Sequence, residues 1–377
     1  MLHFIHYSYT PNTASTNRLL AYLCNIPNSI KAKVFFIMPD NINSRWENVP
    51  ENIEVFYCWD KFKCPFRLWK YVTFYRSLYY IKKQLNEGDI VYCYNTPLYM
   101  NTFRKKGVRL FGERTEHPEV TQPESRLIKF DIDKHLSLCK KLDGLFVIST
   151  ALKEYYISQG VDKNRIHIIN MIVDASRFAG LEKETCQERY IAYCGNASNN
   201  KDGVDKLIES FSIVNKTHPD ILLYIIGKAP TSDVENNNIQ LAHKLGVLNK
   251  IVFTGTITAD RMPRLLKNAS VLALNRPDSL QAQCGFPTKL GEYLLTENPV
   301  VITRVGDIPM FLTDKENALI ASPNNNNEFA NKIQWALDNP KKAVSIGKKG
   351  AETAVQYFNA MTETRKLVEY MIYEKNH

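Results

Sequence analysis

CGFPTKLGEYLLTENPVVIT, residues 284–303, is the stretch on which the fold turns. A compact turn, Cys284-Gly285-Phe286-Pro287, runs into a helix-like segment carrying Glu292. That segment stops at Asn298-Pro299, and the β-branched run Val300–Thr303 follows at once. In a parallel sheet, ligands sit beyond the carboxyl ends of the strands, where helix N-termini point. Free backbone N–H groups and the positive end of the helix dipole make such a point an anion site. Gly285 lets a backbone approach closely, and Pro287 opens a helix without losing a bond. Thr288 and Lys289 add a hydroxyl and a cation. Glu292 lies four residues past Thr288, on the same face, where a carboxylate accepts from two neighbouring hydroxyls. Phosphate at the tip and a diol one turn along describe a ribose diphosphate. The plainer alternative is a simple turn, with Glu292 paired to Lys289 on a solvated face; the residues alone leave both open.

Working outward, short apolar runs alternate with amphipathic segments along most of the 377 residues. The strands expected are His3–Tyr7, Val34–Met38, Ile90–Tyr94, Val108–Phe111, Leu145–Ser149 and Ile166–Ile169, then Tyr190–Tyr193, Ile221–Ile226, Ile251–Thr254, Val271–Leu274, Val300–Thr303 and Ala318–Ile320. Near-continuous apolar strands separated by helices indicate parallel sheets covered on both faces. Twelve strands form two sets of six, divided by the polar interval Asp174–Arg189. The expected architecture is α/β: two doubly wound halves facing each other across a cleft. Their ranges are 1–175 and 176–355, with a last helix, 356–377, crossing back to the first half. That helix follows a break near Phe358-Asn359. The asparagine runs Asn236–Asn238 and Asn324–Asn327 read as loop tips.

At 44% hydrophobic and 23% charged, the composition is that of an ordinary soluble chain, long enough for two cores without disulfide staples. Its cysteines, at 24, 58, 64, 93, 139, 186, 194 and 284, show no metal or disulfide spacing and read as small core residues. The N-terminus, MLHFIHYSYTPN, reads as a first strand, not a signal peptide. No run approaches the ~18 apolar residues of a spanning helix. The expected location is cytoplasmic, with contact at the inner membrane face. The net charge of +9 suits a polyanionic partner or an anionic membrane. Much of it sits in residues 59–83, which hold seven Lys or Arg, one Asp and nine aromatics. Two readings stand: an amphipathic core helix with lysines outside, or a helix lying on lipid. Nucleic acid is not expected, since no binding module is present.

GFPTKLGEYL, NPVVIT, GNASNNKDGVDKLIESF, LYIIGK, VFTGTI and MPRLLKNASVLAL together resemble the retaining group-1 (family 4) glycosyltransferases, closely over residues 190–340 and loosely before them. The resemblance implies the GT-B fold, with two Rossmann-like domains and the donor sugar nucleotide held mainly by the second. It implies retaining transfer of a sugar from a nucleoside diphosphate to a glycan or lipid-linked acceptor, in surface polysaccharide or glycoconjugate biosynthesis. No cofactor and no metal are implied, because cations and helix dipoles stabilise the leaving diphosphate.

By the same resemblance, Glu292 matches the second Glu of the family's E-x7-E element, which binds the donor ribose. The first Glu falls at Cys284, so no carboxylate can be nominated beside the transferred sugar. Gly285, Phe286, Pro287, Thr288, Lys289 and Leu290 match the loop holding pyrophosphate and sugar. Lys201 matches the Lys of a phosphate-binding pair, while Asn196 stands where Arg is common. Loss of that cation costs a diphosphate site about 1–3 kcal/mol unless another base, Lys289 first, replaces it. Gly255-Thr256-Ile257 matches the loop near the base. In the first half, FGERTEHPEV (111–120) gathers Glu113, Arg114, Glu116 and His117 after a strand, where the family presents a residue to the donor sugar. His117 is the candidate there, and a charged loop with internal salt bridges is the alternative. Asn17 and Arg18 of the first loop are weaker candidates for the cleft. Asp131-Ile132-Asp133 is a literal D-x-D, but its spacing is helical, so no metal site is expected there. No G-x-G-x-x-G follows the first strand, against a nicotinamide dehydrogenase. Two rivals remain: a non-catalytic sugar-nucleotide-binding subunit, suggested by Cys284 and Asn196, and a sugar-nucleotide epimerase of the same architecture.

Overall fold

The computed structural model describes residues 1–11, 13–61, 69–121, 130–184 and 188–373. The chain falls into two compact units, Met1–Asn170 with Ala360–His377, and Met171–Asn359. The divisions therefore stand at 170/171 and 359/360, against the expected 175/176 and 355/356. Backbone bonding accounts for the difference. Ile169 and Asn170 offer their carbonyls to Arg18 in the first unit, whereas Val173 donates its N–H to the Phe358 carbonyl within the second.

The first unit holds a parallel sheet of β1 (Leu2–His6), β2 (Ala32–Phe36), β3 (Ile53–Tyr57), β4 (Ile90–Cys93), β5 (Arg109–Arg114), β6 (Gly144–Val147) and β7 (Ile166–Ile168). The order is β3-β2-β1-β4-β5-β6-β7. Every residue of β1, β4 and β6 is buried, as expected of central strands covered on both faces. The sheet has seven strands where six were expected. The extra one, β3, is an edge strand whose Glu54 faces solvent, so IEVFY lacks the apolar continuity of its neighbours. It is fixed by ring stacking, Phe56 on Phe35 at 4.7 Å and Tyr57 on Phe36 at 5.6 Å.

The second unit holds β8 (Tyr190–Cys194), β9 (Leu222–Ile226), β10 (Ile251–Gly255), β11 (Val271–Leu274), β12 (Val300–Thr303) and β13 (Leu319–Ala321). All pair in parallel in the order β10-β9-β8-β11-β12-β13. Two helices end the described chain. Pro340–Tyr357 packs on Lys289–Leu295 within the second unit. Bare backbone makes the approach: a Cβ on Gly347 would lie 2.2 Å from the Glu297 carbonyl oxygen. After the break at Phe358-Asn359, Ala360–Ile372 returns to the first unit, packing on the helix Ala14–Asn25 and on β6. Its buried Glu363 accepts the Asn170 N–H at 2.8 Å.

Several local expectations resolve differently. Asn236–Asn238 lie inside the helix Ser232–Lys244, with Asn238 buried and accepting from the Asn199 amide at 3.1 Å. Asn325 caps the helix Asn326–Asp338. Cys24 is exposed, unlike the buried Cys58, Cys93, Cys139, Cys194 and Cys284; Cys64 and Cys186 lie outside the described residues. Asp131 is a helix cap, its carboxylate accepting the Lys134 N–H at 3.0 Å. In the basic aromatic segment, residues 62–68 lie outside the description, Lys63 and Arg67 among them. The helix Trp69–Gln84 buries Thr73, Phe74, Ser77, Leu78 and Ile81 but exposes Tyr71, Tyr75 and Tyr79, each by more than half. The aromatics therefore divide between core and surface. Among the described residues no helix is long and apolar enough to cross a membrane.

Candidate functional site

At the carboxyl ends of β8–β11 the second unit gathers backbone turns that only glycine fits. Gly195 follows β8 with φ +147°, and a Cβ there would fall 2.4 Å from the Lys289 ammonium. Gly227, after β9, has φ +121°, and its Cβ would meet the Gly195 carbonyl oxygen at 2.0 Å. Both are places where side chain or backbone crosses a chain with no room to spare.

Lys289 opens the helix Lys289–Leu295 and turns inward. It forms an ion pair with Asp202, donates to the Tyr193 hydroxyl oxygen at 3.1 Å and lies 4.7 Å over that ring. The Tyr193 hydroxyl donates to the Asp202 carboxylate at 2.8 Å. Burial pushes the Lys289 pKa down, Lys201 adds to the fall, and Asp202 opposes it. Burial would raise Asp202, but Lys289, the Tyr193 hydroxyl and Arg276 together hold it below the usual carboxylate value. Arg276, just past β11, is almost fully buried. It donates to the Lys201 carbonyl at 3.3 Å and reaches the Gly285 carbonyl at 3.5 Å, joining two loops. Lys289 and Arg276 thus share one carboxylate where the sheet's strands end, and Lys201 acts on Lys289 beside them.

The remaining predicted donor residues fall around this cluster. Asn196 is exposed, and its backbone carbonyl lies 2.6 Å from the Tyr193 hydroxyl. Lys201 lies in the short helix Asn199–Asp202, its N–H capped by Ser198 at 3.3 Å. Thr256 is exposed in the loop after β10. In the loop 285–290, the Gly285 N–H is spent on the Gln281 carbonyl and that of Leu290 on Pro287. The N–H groups of Phe286, Thr288 and Lys289 carry no backbone bond. Phe286 and Leu290 are buried, Phe286 against Phe311 and Phe358 at 5.6 and 5.4 Å, so their side chains serve the core. Pro287 is buried and Thr288 exposed. Cys284 is buried at the end of the helix Leu280–Cys284.

Glu292 pairs not with Lys289 but with Arg177, through Oε1. Burial pushes its carboxyl pKa up, and Arg177 opposes the rise. Its Oε2 has no hydrogen-bond partner among the described residues. Arg177, Asp202, Tyr193 and Arg276 are the site residues that sequence reasoning missed. Arg177 stands 115 positions from its partner, and no local pattern links such residues.

His117 belongs to the first unit. It is buried, accepts the Glu119 N–H on Nδ1 at 3.3 Å and meets the Tyr155 ring at 4.1 Å. Burial lowers its pKa, so the ring is neutral at pH 7. Two charged groups of the same stretch are buried on other partners. Glu113 is buried with Arg18 and the Tyr22 and Tyr92 hydroxyls. Arg114 is buried on the carbonyls of Asn95 and Glu116. Arg18 is therefore an interior ion-pair residue, and Asn17 is exposed on the helix Ala14–Asn25. Among the described residues no group of three His, Cys, Asp or Glu is placed to hold a metal ion.

Residues 178–353 match the family Glycosyl transferases group 1. Over 210 residues the chain is 24% identical to a GDP-mannose-dependent alpha-(1-6)-phosphatidylinositol monomannoside mannosyltransferase of Mycolicibacterium smegmatis, covering 53% of this chain and 54% of that one. It is 21% identical to a D-inositol 3-phosphate glycosyltransferase of Corynebacterium aurimucosum, covering 59% and 50%. The chain spans about half the length of the curated relatives it matches. Among solved structures it is similar to Anabaena HepE in complex with UDP and glucose, with a TM-score of 0.75, 18% identity and 99% of each chain covered. WaaG, a glycosyltransferase involved in lipopolysaccharide biosynthesis, gives 0.70 at 12% identity, covering 99% and 100%. Residues 178–353 belong to the group 1 glycosyl transferases, and the chain's two parallel sheets have the GT-B fold.

Proposed function

We propose that the protein transfers a sugar from a nucleoside diphosphate donor to a glycan or lipid-linked acceptor, with retention of configuration and without a metal. The observation that carries this is the charge cluster at the ends of β8 and β11. Lys289 and Arg276 act on the single carboxylate of Asp202, Lys201 acts on Lys289, and the Phe286, Thr288 and Lys289 amides make no backbone bond among the described residues. Breaking the anomeric C–O bond builds charge on the leaving diphosphate, and fixed cations and amides aimed there lower that barrier. With protein cations meeting that charge, the reaction needs no divalent ion. Glu292, one turn along, accepts the ribose hydroxyls. Relatives named for GDP-mannose, and a similar fold holding UDP with glucose, support a nucleotide donor.

Cys284 leaves no side-chain carboxylate beside the sugar, so the acceptor attacks from the face the diphosphate leaves. A proton then passes from acceptor to leaving oxygen. The same cysteine favours a second reading, a subunit that binds the donor without turning it over. Incubating the protein with candidate UDP-, GDP- and ADP-sugars, with EDTA and no acceptor, separates the two: slow release of nucleoside diphosphate supports the enzyme. Tight binding with no release supports the subunit, and conversion of the sugar without release supports an epimerase. A strict Mn²⁺ or Mg²⁺ requirement would contradict the metal-free scheme.

The acceptor half is placed at a membrane by the helix Trp69–Gln84. Its solvent face carries Tyr71, Tyr75, Arg76, Tyr79, Lys82 and Lys83 and no acid, the mixture of interfacial aromatics and cations that suits an anionic lipid surface.

A further inference from the structure

Arg177 has no place in the sequence pattern, yet it holds the one carboxylate assigned to the nucleotide. It rides the short helix Ala175–Phe178, which Asp174 caps by accepting the Ser176 N–H at 2.9 Å and which Phe178 anchors in the core. One arm of the guanidinium grips Glu292 Oε1. Another lies 3.4 Å from the Ala259 carbonyl, in the loop that begins at Gly255-Thr256. An ungripped carboxylate swings about its terminal torsion, which is broad and two-fold. Held by Oε1, it presents Oε2 in one direction, and Oε2 has no partner among the described residues.

We propose that Arg177 is a positioning residue that fixes Glu292 toward a ribose 2′,3′-diol and ties it to the loop after β10, making the site selective for ribonucleotides. The proposal rests on the donor-site reading of Glu292. Arg177 also keeps the carboxylate ionised. Burial drives its pKa up, Asp174 adds to the rise, and Arg177 and Lys289 oppose it; Cys194, at the end of β8, and Tyr293, on the same helix, are the other titratable groups beside it. Without Arg177 the carboxylate takes up a proton at higher pH, and a protonated carboxyl is a poorer acceptor for two hydroxyls.

The test measures equilibrium binding of UDP, GDP and ADP, then of the 2′-deoxy form of the tightest of these, and of inorganic pyrophosphate. The proteins are wild type, Arg177→Gln, Arg177→Lys and Glu292→Gln, from pH 6 to 9. Wild type should prefer the ribonucleotide by about tenfold, the worth of one charged hydrogen bond, and Glu292→Gln should erase that preference. Arg177→Gln should lose most of it, the more so toward the acid end of the range, and bind pyrophosphate as wild type does. Arg177→Lys should retain part of it. Arg177→Gln with wild-type preference and pH profile overturns the proposal while leaving the donor site intact. Equal loss of all three ligands in that variant also overturns it, as a structural role only. Glu292→Gln with full preference, or a wild type that binds none of the nucleotides, overturns the donor-site reading itself.

Discussion

Lys289 occupies a position where a helix begins, and a surface lysine there would point to water. Gly195 removes the obstacle, and Asp202 supplies the counter-charge that makes burial tolerable. Breaking a buried pair from one side leaves an uncompensated charge, at a cost of about 3–5 kcal/mol. Lys289→Met should therefore destabilise the second unit by about 3 kcal/mol in urea unfolding. The double variant with Asp202→Asn should recover most of that stability but not the nucleotide affinity, because the cation is still missing. Full affinity in the double variant would remove Lys289 from the site. Glu292 works in the opposite sense. Its folded pKa lies above the ordinary 4.5, so the folded state binds the proton more tightly, and stability falls as pH rises through that window. Glu292→Gln should then be no less stable than wild type at pH 7, yet bind the donor about tenfold more weakly. Lower stability with unchanged affinity would make Glu292 a structural ion-pair residue. The loop 284–292 was legible because its spacing is local. Asp202, Arg276 and Arg177 were not, because only the fold brings them to their partners.

Among the elements, the helix Trp69–Gln84 shows what periodicity does and does not tell. Its aromatic content resembled a core face, but Tyr71, Tyr75 and Tyr79 repeat every four residues on the outside, while the smaller Thr73 and Ser77 face inward with Phe74. Lys61, part of the same basic run, bonds the Tyr80 hydroxyl at 2.5 Å and lies over its ring, so the cations facing solvent on the helix are Lys70 in its first turn and, past it, the three of Arg76, Lys82 and Lys83. Each contributes about 1 kcal/mol near an anionic surface. Changing all three to Gln should weaken binding to anionic vesicles by about 100-fold, and high salt should do the same to wild type. Equal partitioning onto neutral vesicles, or no change in the triple variant, would leave the tyrosine face without a lipid partner. At the same scale, β3 escaped detection because an edge strand needs only one apolar face.

Across the whole molecule, the two sheets were readable from their buried parallel strands, whose near-continuous apolar runs leave little room for another arrangement. The distribution of buried histidines was not, since a lone His carries no periodic signal. The buried His3, His6, His117 and His135 and the half-buried His167 all lie in the first unit, and desolvation lowers each one. His6 falls to about 4 and His135 to about 3. A histidine kept neutral in the fold binds fewer protons than in the unfolded chain, so stability is full above pH 6.5 and lost as pH falls toward the folded value. His6 alone should cost on the order of 3 kcal/mol by pH 4. Trp46, Trp59 and Trp69 report on the first unit and Trp335 on the second. Urea unfolding of Trp335→Phe, followed by fluorescence, should give a midpoint unchanged from pH 7.5 to 6.5 and falling from 6.5 to 5. A midpoint flat to pH 5 would contradict the burial of these rings.

The donor site itself is tested most directly by thermal unfolding in the presence of UDP-, GDP- and ADP-sugars, with wild type beside Lys201→Ala and Glu292→Gln. A sugar nucleotide at 100 times its Kd should stabilise wild type by about 2.7 kcal/mol, and the same concentration should stabilise both variants less. No stabilisation of wild type by any of the three, or equal stabilisation of all three proteins, would contradict the account.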